Sequence, residues 1–223
     1  FKTTDLGKTW SNIIPNDDIT GFARNIQEDY VNKDLLFLGT ELGLYITING
    51  GDKWSKFTKN VPPVAIHYIE LQANTNDLVM GTHGRGVIII DDISPLREIN
   101  ETNLSNKLYF FERDEFEIQE FGGFADNFGR ETQFIGANSS LSCQIQYLLP
   151  KRHTFGKMTM EIQDMEGNKV TTLNPGKTKG INTVEWNYNM RTPKIAKGKT
   201  LSFGGFTSPT VPAGKYKVVI KKG

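Results

Sequence analysis

The sequence predicts an all-β chain in two parts: a partial β-propeller of about two to three four-stranded blades over residues 1–104, and an antiparallel β-sandwich over residues 136–223. Three observations predict it. Segments of the first part repeat at a spacing of 42 to 44 residues. The apolar runs there are short, rich in β-branched residues and bounded by Gly or Asn. The last part alternates apolar and polar side chains with a period of two.

The repeat is read first because it decides the architecture. Leu36-Phe37-Leu38-Gly39-Thr40-Glu41-Leu42-Gly43-Leu44-Tyr45-Ile46 returns as Leu78-Val79-Met80-Gly81-Thr82-His83-Gly84-Arg85-Gly86-Val87-Ile88, a step of 42 residues. Thr3-Thr4-Asp5-Leu6-Gly7-Lys8-Thr9-Trp10 returns as Thr47-Ile48-Asn49-Gly50-Gly51-Asp52-Lys53-Trp54, a step of 44. Each step holds a strand near Ile26 or its equivalent, a strand at 36–39, a turn at 41–43, a strand at 44–48, a second turn, and a strand at 54–57. Four short antiparallel strands in 40–45 residues describe a propeller blade. Helix pairs can share the period, but runs of four to six apolar residues are too short for them.

The second turn has a physical rationale. Asp5 or Asn49 can accept hydrogen bonds from nearby backbone N–H groups, Thr3 or Thr47 adds a hydroxyl, and Gly7 or Gly51 supplies a positive φ. Thr9 completes the first turn. Trp10 and Trp54 are expected to lay their rings between sheets, where each would bury roughly 150–250 Å².

Residues 3–10 match Ser/Thr-x-Asp-x-Gly-x-Thr-Trp in full, and residues 47–54 carry Asn in place of Asp. This motif resembles the Asp-box, the bacterial neuraminidase repeat. Together with Gly39-Thr40-Glu41-Leu42-Gly43-Leu44-Tyr45, Gly81-Thr82-His83-Gly84-Arg85-Gly86 and Asp91-Asp92-Ile93-Ser94-Pro95-Leu96, it makes the first part similar to the last blades of bacterial sortilin-type and glycosyl-hydrolase-like propeller proteins. The motif occurs in sialidases, other glycosidases, sortilin-type receptors and photosystem-assembly factors, so the resemblance implies a fold and no particular reaction. The chain opens in the strand before an Asp-box, from which a larger parent protein is expected.

In the second part, Leu141, Cys143, Ile145, Tyr147 and Leu149 fall on one face of a strand. Met158-Met160-Ile162 repeats the pattern, a turn at 164–169 contains Gly167 and Asn168, and 170–173 returns. Val184-Trp186-Tyr188-Met190 and Tyr216-Val218-Ile220 follow. Gly180-Ile181-Asn182-Thr183-Val184-Glu185-Trp186-Asn187 with Pro212-Ala213-Gly214-Lys215-Tyr216-Lys217-Val218 resembles the Ig-like domain of flagellar hook-assembly proteins. Gly136-Ala137-Asn138 is similar to the entry of such a domain in sortilin-type proteins. The resemblance implies an Ig-like β-sandwich that serves as an accessory or spacer module, and an exported, periplasmic or extracellular parent.

Composition excludes several classes. The 223 residues include one Cys and three His, so no cysteine-rich zinc site, disulfide framework or close-spaced histidine ligand set can form, and neither a metal nor a cofactor is expected. The apolar run 87–90 stops at Asp91, and no stretch approaches the roughly 20 residues of a membrane helix. Nucleophile-elbow, phosphate-loop and dinucleotide signatures are missing from the sequence. The net charge of +1 hides a balance of −5 over 1–104, −4 over 105–135 and +10 over 136–223. That asymmetry reads either as docking within the chain, with contacts between propeller and Ig-like domain, or as a basic module meeting an external polyanion.

Three places carry candidate chemistry. His83 and Arg85 sit on a Gly-rich turn where Arg would suit a carboxylate or phosphate; alternatively both brace a neighbouring element. The segment 105–135 holds a run of Phe among carboxylates, in which Phe121 and Phe124 could form a sugar platform or an interdomain contact. Lys194, Lys197 and Lys199 make a basic loop with too few rings nearby for a nucleic-acid platform, so nucleic acid is not an expected partner. Sialidase chemistry needs an arginine cluster, yet only Arg24, Arg85 and Arg97 precede residue 105. The expected function is a non-catalytic binding or structural portion of an exported Asp-box propeller protein with an unknown glycan or protein ligand. The alternative is the C-terminal part of a sialidase-like glycoside hydrolase whose catalytic residues lie mostly elsewhere.

Overall fold

A computed structural model describes residues 1–14, 19–113, 115–116, 142–192 and 208–223. The chain divides into two compact units, Phe1–Leu104 and Ser105–Gly223. Strands dominate both, and the sheets are small and antiparallel.

In the first unit β1 (Ala23–Glu28), β2 (Leu36–Thr40), β3 (Gly43–Thr47) and β4 (Ser55–Phe57) pair in sequence order. The β2–β3 turn is tight because Gly43 takes φ 124° and Thr40 Oγ1 donates to the Gly43 carbonyl at 2.9 Å. Every residue of β2 and β3 is buried, which requires a cover on both faces of the sheet.

One cover is the second sheet, formed by β5 (Ile66–Gln72), β6 (Asp77–Thr82) and β7 (Val87–Ile90). Leu35, Phe37, Leu44 and Ile46 share a core with Ile66, Ile69, Leu71, Leu78 and Met80. The sheets approach closely at Gly39, where a Cβ would stand 2.9 Å from Ile66 Cγ2. The other cover is the segment before β1: Ile13, Ile14 and Ile19 lie over Leu36, Leu38, Tyr45 and Trp54.

The second sheet has three strands where the repeat predicts four. After β7 no Asp-box follows. Asp92 adopts φ 48° and donates its N–H to Asp77 Oδ1 at 3.0 Å, and Ile93 N–H reaches the Asn76 carbonyl at 2.8 Å. The chain is thereby led into α1 (Ser94–Arg97) and α2 (Glu101–Ser105), which the strand reading did not anticipate. Pro95 in the first turn of α1 was the visible signal.

The second unit contains β8 (Tyr109–Phe110), β9 (Cys143–Leu149), β10 (Met158–Gln163), β11 (Lys169–Leu173), β12 (Gly180–Trp186) and β13 (Lys217–Lys222). Among the described residues they form two three-stranded sheets, ordered β12-β9-β8 and β11-β10-β13. Ile145, Tyr147, Leu149, Val184 and Trp186 from the first join Met158, Met160, Ile162 and Val170 from the second in one core. The alternating residues of β9 and β10 are thus the inward ones, although Leu148 is buried as well. The apolar alternation after Val184 ends earlier than its sequence suggests, because Tyr188 takes φ 57° and Met190 is exposed.

The aromatic segment contributes to this unit's own core. Tyr109 and Phe110 pair with Leu148 and Tyr147, and the rings of Phe110 and Tyr147 lie 5.9 Å apart. Two of the polar side chains that reach into this unit are fully paired. Asn182 accepts from Thr178 Oγ1 at 2.8 Å and donates to the Thr178 carbonyl at 2.8 Å. Tyr147 donates to the Gly176 carbonyl at 2.6 Å, and burial pushes its hydroxyl pKa up to about 12.

Candidate functional site

The two motif turns are built alike. In the first, Thr3 Oγ1 donates to Asp5 Oδ1 at 2.8 Å and accepts from Gly7 N–H at 2.8 Å. In the second, Thr47 Oγ1 donates to Asn49 Oδ1 at 2.8 Å and accepts from Gly51 N–H at 3.2 Å. Oδ1 of Asp5 takes Thr9 N–H at 2.8 Å, as Oδ1 of Asn49 takes Lys53 N–H at 3.0 Å. Both turns carry two successive left-handed residues, Leu6 and Gly7 at φ 59° and 87°, Gly50 and Gly51 at φ 68° and 105°. The hydrogen-bonding oxygens are consumed inside the turn, so these residues shape a corner and offer no reactive group.

The two tryptophans differ. Trp54 is 4% exposed and donates Nε1–H to the Ile13 carbonyl at 2.7 Å. Trp10 is 61% exposed and donates only to Gly7 within its own turn, at 3.1 Å. The sequence predicts a ring between sheets for both; Trp54 is buried instead beneath Ile13, Ile14 and Ile19 of the segment before β1, and Trp10 is exposed. Nothing in the described structure covers Trp10 as Ile13 covers Trp54.

His83 and Arg85 lie on the β6–β7 turn, which Thr82 closes by donating Oγ1–H to the Gly86 carbonyl at 2.7 Å. Gly84 and Gly86 are left-handed, at φ 80° and 65°. His83 N–H donates to the Ala65 carbonyl at 2.9 Å, which sets its ring 5.7 Å from that of His67. A register shift in β5 between Ile66 and Tyr68 turns both His67 and Tyr68 outward. No motif in the sequence foreshadows that pairing of imidazoles. Arg85 is exposed and has no ion-pair partner among the described residues.

The other two arginines of this unit are engaged. Arg24 Nη2 meets Glu41 Oε1 at 2.7 Å. Arg97 grips the buried Asp29 through Nε to Oδ2 at 2.9 Å and Nη2 to Oδ1 at 2.9 Å, reaches Asn76 Oδ1 with Nη1 at 2.7 Å, and lies 4.7 Å over the Tyr30 ring. The second Asp29 oxygen also accepts the N–H groups of Val31 and Asn32, at 3.1 and 2.7 Å. Arg97 is thus a clamp between α1, the β1–β2 loop and the β5–β6 turn.

A cleft of about 540 Å³ opens in the second unit beside β11 and β12. Lys169, Thr172, Glu185, Asn187, Asn189 and Arg191 give it hydrogen-bonding and charged walls. Among the described residues its one aromatic lining residue, Trp186, is 6% exposed and turned into the core against Tyr188 and Tyr216, so its ring offers no stacking face for a sugar. Cys143 is half-buried, and burial raises its thiol pKa, which disfavours the thiolate.

Phe121, Phe124 and the lysines at 194, 197 and 199 lie outside the described residues. Among the described residues no group of three or more His, Cys, Asp or Glu side chains could hold a metal ion, and no helix is long and apolar enough to cross a membrane. In comparisons with known proteins, no family model, no curated protein and no solved structure matches this chain.

Proposed function

We propose that residues 1–104 are successive blades of a β-propeller with Asp-box corners, and that the chain is a non-catalytic binding or structural portion of an exported protein, with the second unit as an Ig-like accessory module. One observation carries the blade reading: Lys2 bridges Ser11 as Ile46 pairs Ser55, the same register displaced by 44 residues, around turns with matching hydrogen bonds. Identical outer hairpins at one period are what a radial array of sheets requires.

The non-catalytic reading is supported by the arginines. In the first unit Arg24 and Arg97 are committed to carboxylates of the fold, which leaves Arg85 as that unit's one arginine outside an ion pair among the described residues. The turn that carries Arg85 and His83, whose ring neighbours that of His67, is the place where an anionic group of a glycan or protein ligand would bind.

Two assays decide the matter, the first on the full-length protein and the second on the purified chain. Incubation with a panel of chromogenic glycosides is expected to release no chromophore, while binding to anionic glycans or peptides is expected to weaken in Arg85→Ala. Hydrolysis would transfer the case to the glycoside-hydrolase reading. Binding unaffected by Arg85→Ala would remove the turn as the contact.

A further inference from the structure

Trp54 lies in a filled hollow, and Trp10 lies in the same hollow left open. At the filled site the floor is Gly51, whose Cβ position falls 2.7 Å from Ile13 Cβ and 3.0 Å from the Ile13 carbonyl oxygen. One wall is Trp54, bonded to that carbonyl. The other wall is Tyr45, 3% exposed, whose hydroxyl accepts from Thr20 N–H at 3.3 Å and lies 2.9 Å from Thr20 Oγ1. Moving 44 residues back along the sequence gives Gly7 as floor and Trp10 as wall on a turn held by the same bonds, with Phe1 at the position equivalent to Tyr45. There the Cβ position of Gly7 meets only the Trp10 ring, at 3.8 Å, and Phe1 is 80% exposed.

We infer that the hollow of Phe1, Gly7 and Trp10 is a docking site for one kind of occupant: an extended, isoleucine-bearing segment from a further copy of this repeat. The inference rests on the blade reading and adds the identity of the contact. It continues an interface the chain already makes one step along. The occupant must supply a carbonyl to Trp10 Nε1–H and a β-branched side chain over Gly7, as Ile13 does for Trp54 and Gly51. Phe1 has no hydroxyl where Tyr45 has one, so the occupant needs an apolar residue in the place of Thr20.

The test uses the full chain and a chain lengthened at its amino end by a second copy of residues 1–44, with Thr20→Val in that copy. Both are labelled with fluorotryptophan, and the Trp10 resonance is assigned through Trp10→Phe. Trp10 is expected to lose its accessibility to a soluble quencher, from that of a 61% exposed ring towards that of Trp54 at 4%, and to regain it when Ile13→Asp is placed in the added copy. Backbone exchange on the added copy of β2 separates the two ideas. Protected added amides with an accessible Trp10 overturn the docking site and leave the blades standing. Freely exchanging added amides remove the blade reading, and the docking site then survives only if Trp10 is nonetheless shielded by the Ile13-dependent contact.

Discussion

Thr9 occupies both carboxylate oxygens of Asp5, its N–H at Oδ1 at 2.8 Å and its hydroxyl at Oδ2 at 2.7 Å, whereas Lys53 reaches Asn49 through its N–H alone. The substitutions are coupled: a second acceptor oxygen is useful only where the fourth following residue brings a hydroxyl to it. The Thr9 hydroxyl, then the Thr9 N–H and the Thr3 hydroxyl, hold the Asp5 pKa at about 2 against an ordinary 3.8.

A carboxyl whose pKa is lower in the folded hairpin stabilises that hairpin fully above the unfolded value, and the contribution disappears as pH falls through the folded one. Exchange protection of the Gly7 and Thr9 amides is therefore expected to hold down to about pH 4 and to fade towards pH 2. In Asp5→Asn the protection at neutral pH drops to a level independent of pH in this window. Thr9→Val should move the Asp5 titration, followed by carboxyl NMR, back towards the ordinary value. A midpoint for Asp5 unmoved by Thr9→Val would refute the assignment.

Burial separates two tryptophans that the motif treats as equals. Trp54→Ala should cost about 3–5 kcal/mol, the range for emptying a large aromatic from a core. Trp10→Ala should stay within about 0.5 kcal/mol, as for exposed positions away from packed features. Urea unfolding of the two variants measures both, and equal losses would mean that Trp10 is covered.

The corner motif and the strand alternation were legible because both are local. Asp5, Gly7 and Thr9 bond within four residues of one another, and β9, β10 and β12 show their inward faces by period alone. What escaped the sequence depends on distant partners. Nothing around Arg97 points to Asp29, which is 68 positions away, and the His67–His83 contact needs a register shift that no residue type dictates. The missing fourth strand of the second sheet follows from the absence of a motif after Ile90, a signal present in the sequence but outweighed by the expectation of regular repeats. For the candidate site, the turn bearing His83 and Arg85 was found by its glycines, while the accounting of which arginines are free needed the fold.

The Arg97 clamp makes a second large effect predictable from geometry. The Asp29 side chain is fully buried and its partner is 13% exposed. Removing one member of such a pair leaves a desolvated charge, which typically costs about 3–5 kcal/mol. Arg97→Met should show that loss in urea unfolding, and Asp29→Asn combined with Arg97→Met should recover part of it, since the stranded carboxylate is gone. Strict additivity of the two changes would contradict the clamp.

Gly7 and Gly51 offer the sharpest comparison, since they hold one position of the same corner under different cover. Alanine at either must adopt a left-handed φ, at a cost of about 1–2 kcal/mol. At Gly7 the new methyl enters open space beside Trp10, so that cost stands alone. At Gly51 it meets Ile13 Cβ at 2.7 Å, an overlap that adds about 1–3 kcal/mol of overpacking or expels Ile13 from the seam. Gly51→Ala is therefore expected to lower the unfolding midpoint more than Gly7→Ala and to expose Trp54 to a soluble quencher. The truncation Ile13→Ala in the Gly51→Ala background should restore part of the loss, because it removes the atoms that collide. Equal midpoints for the two glycine variants would mean that Ile13 does not sit over Gly51, and the filled hollow would lose its floor.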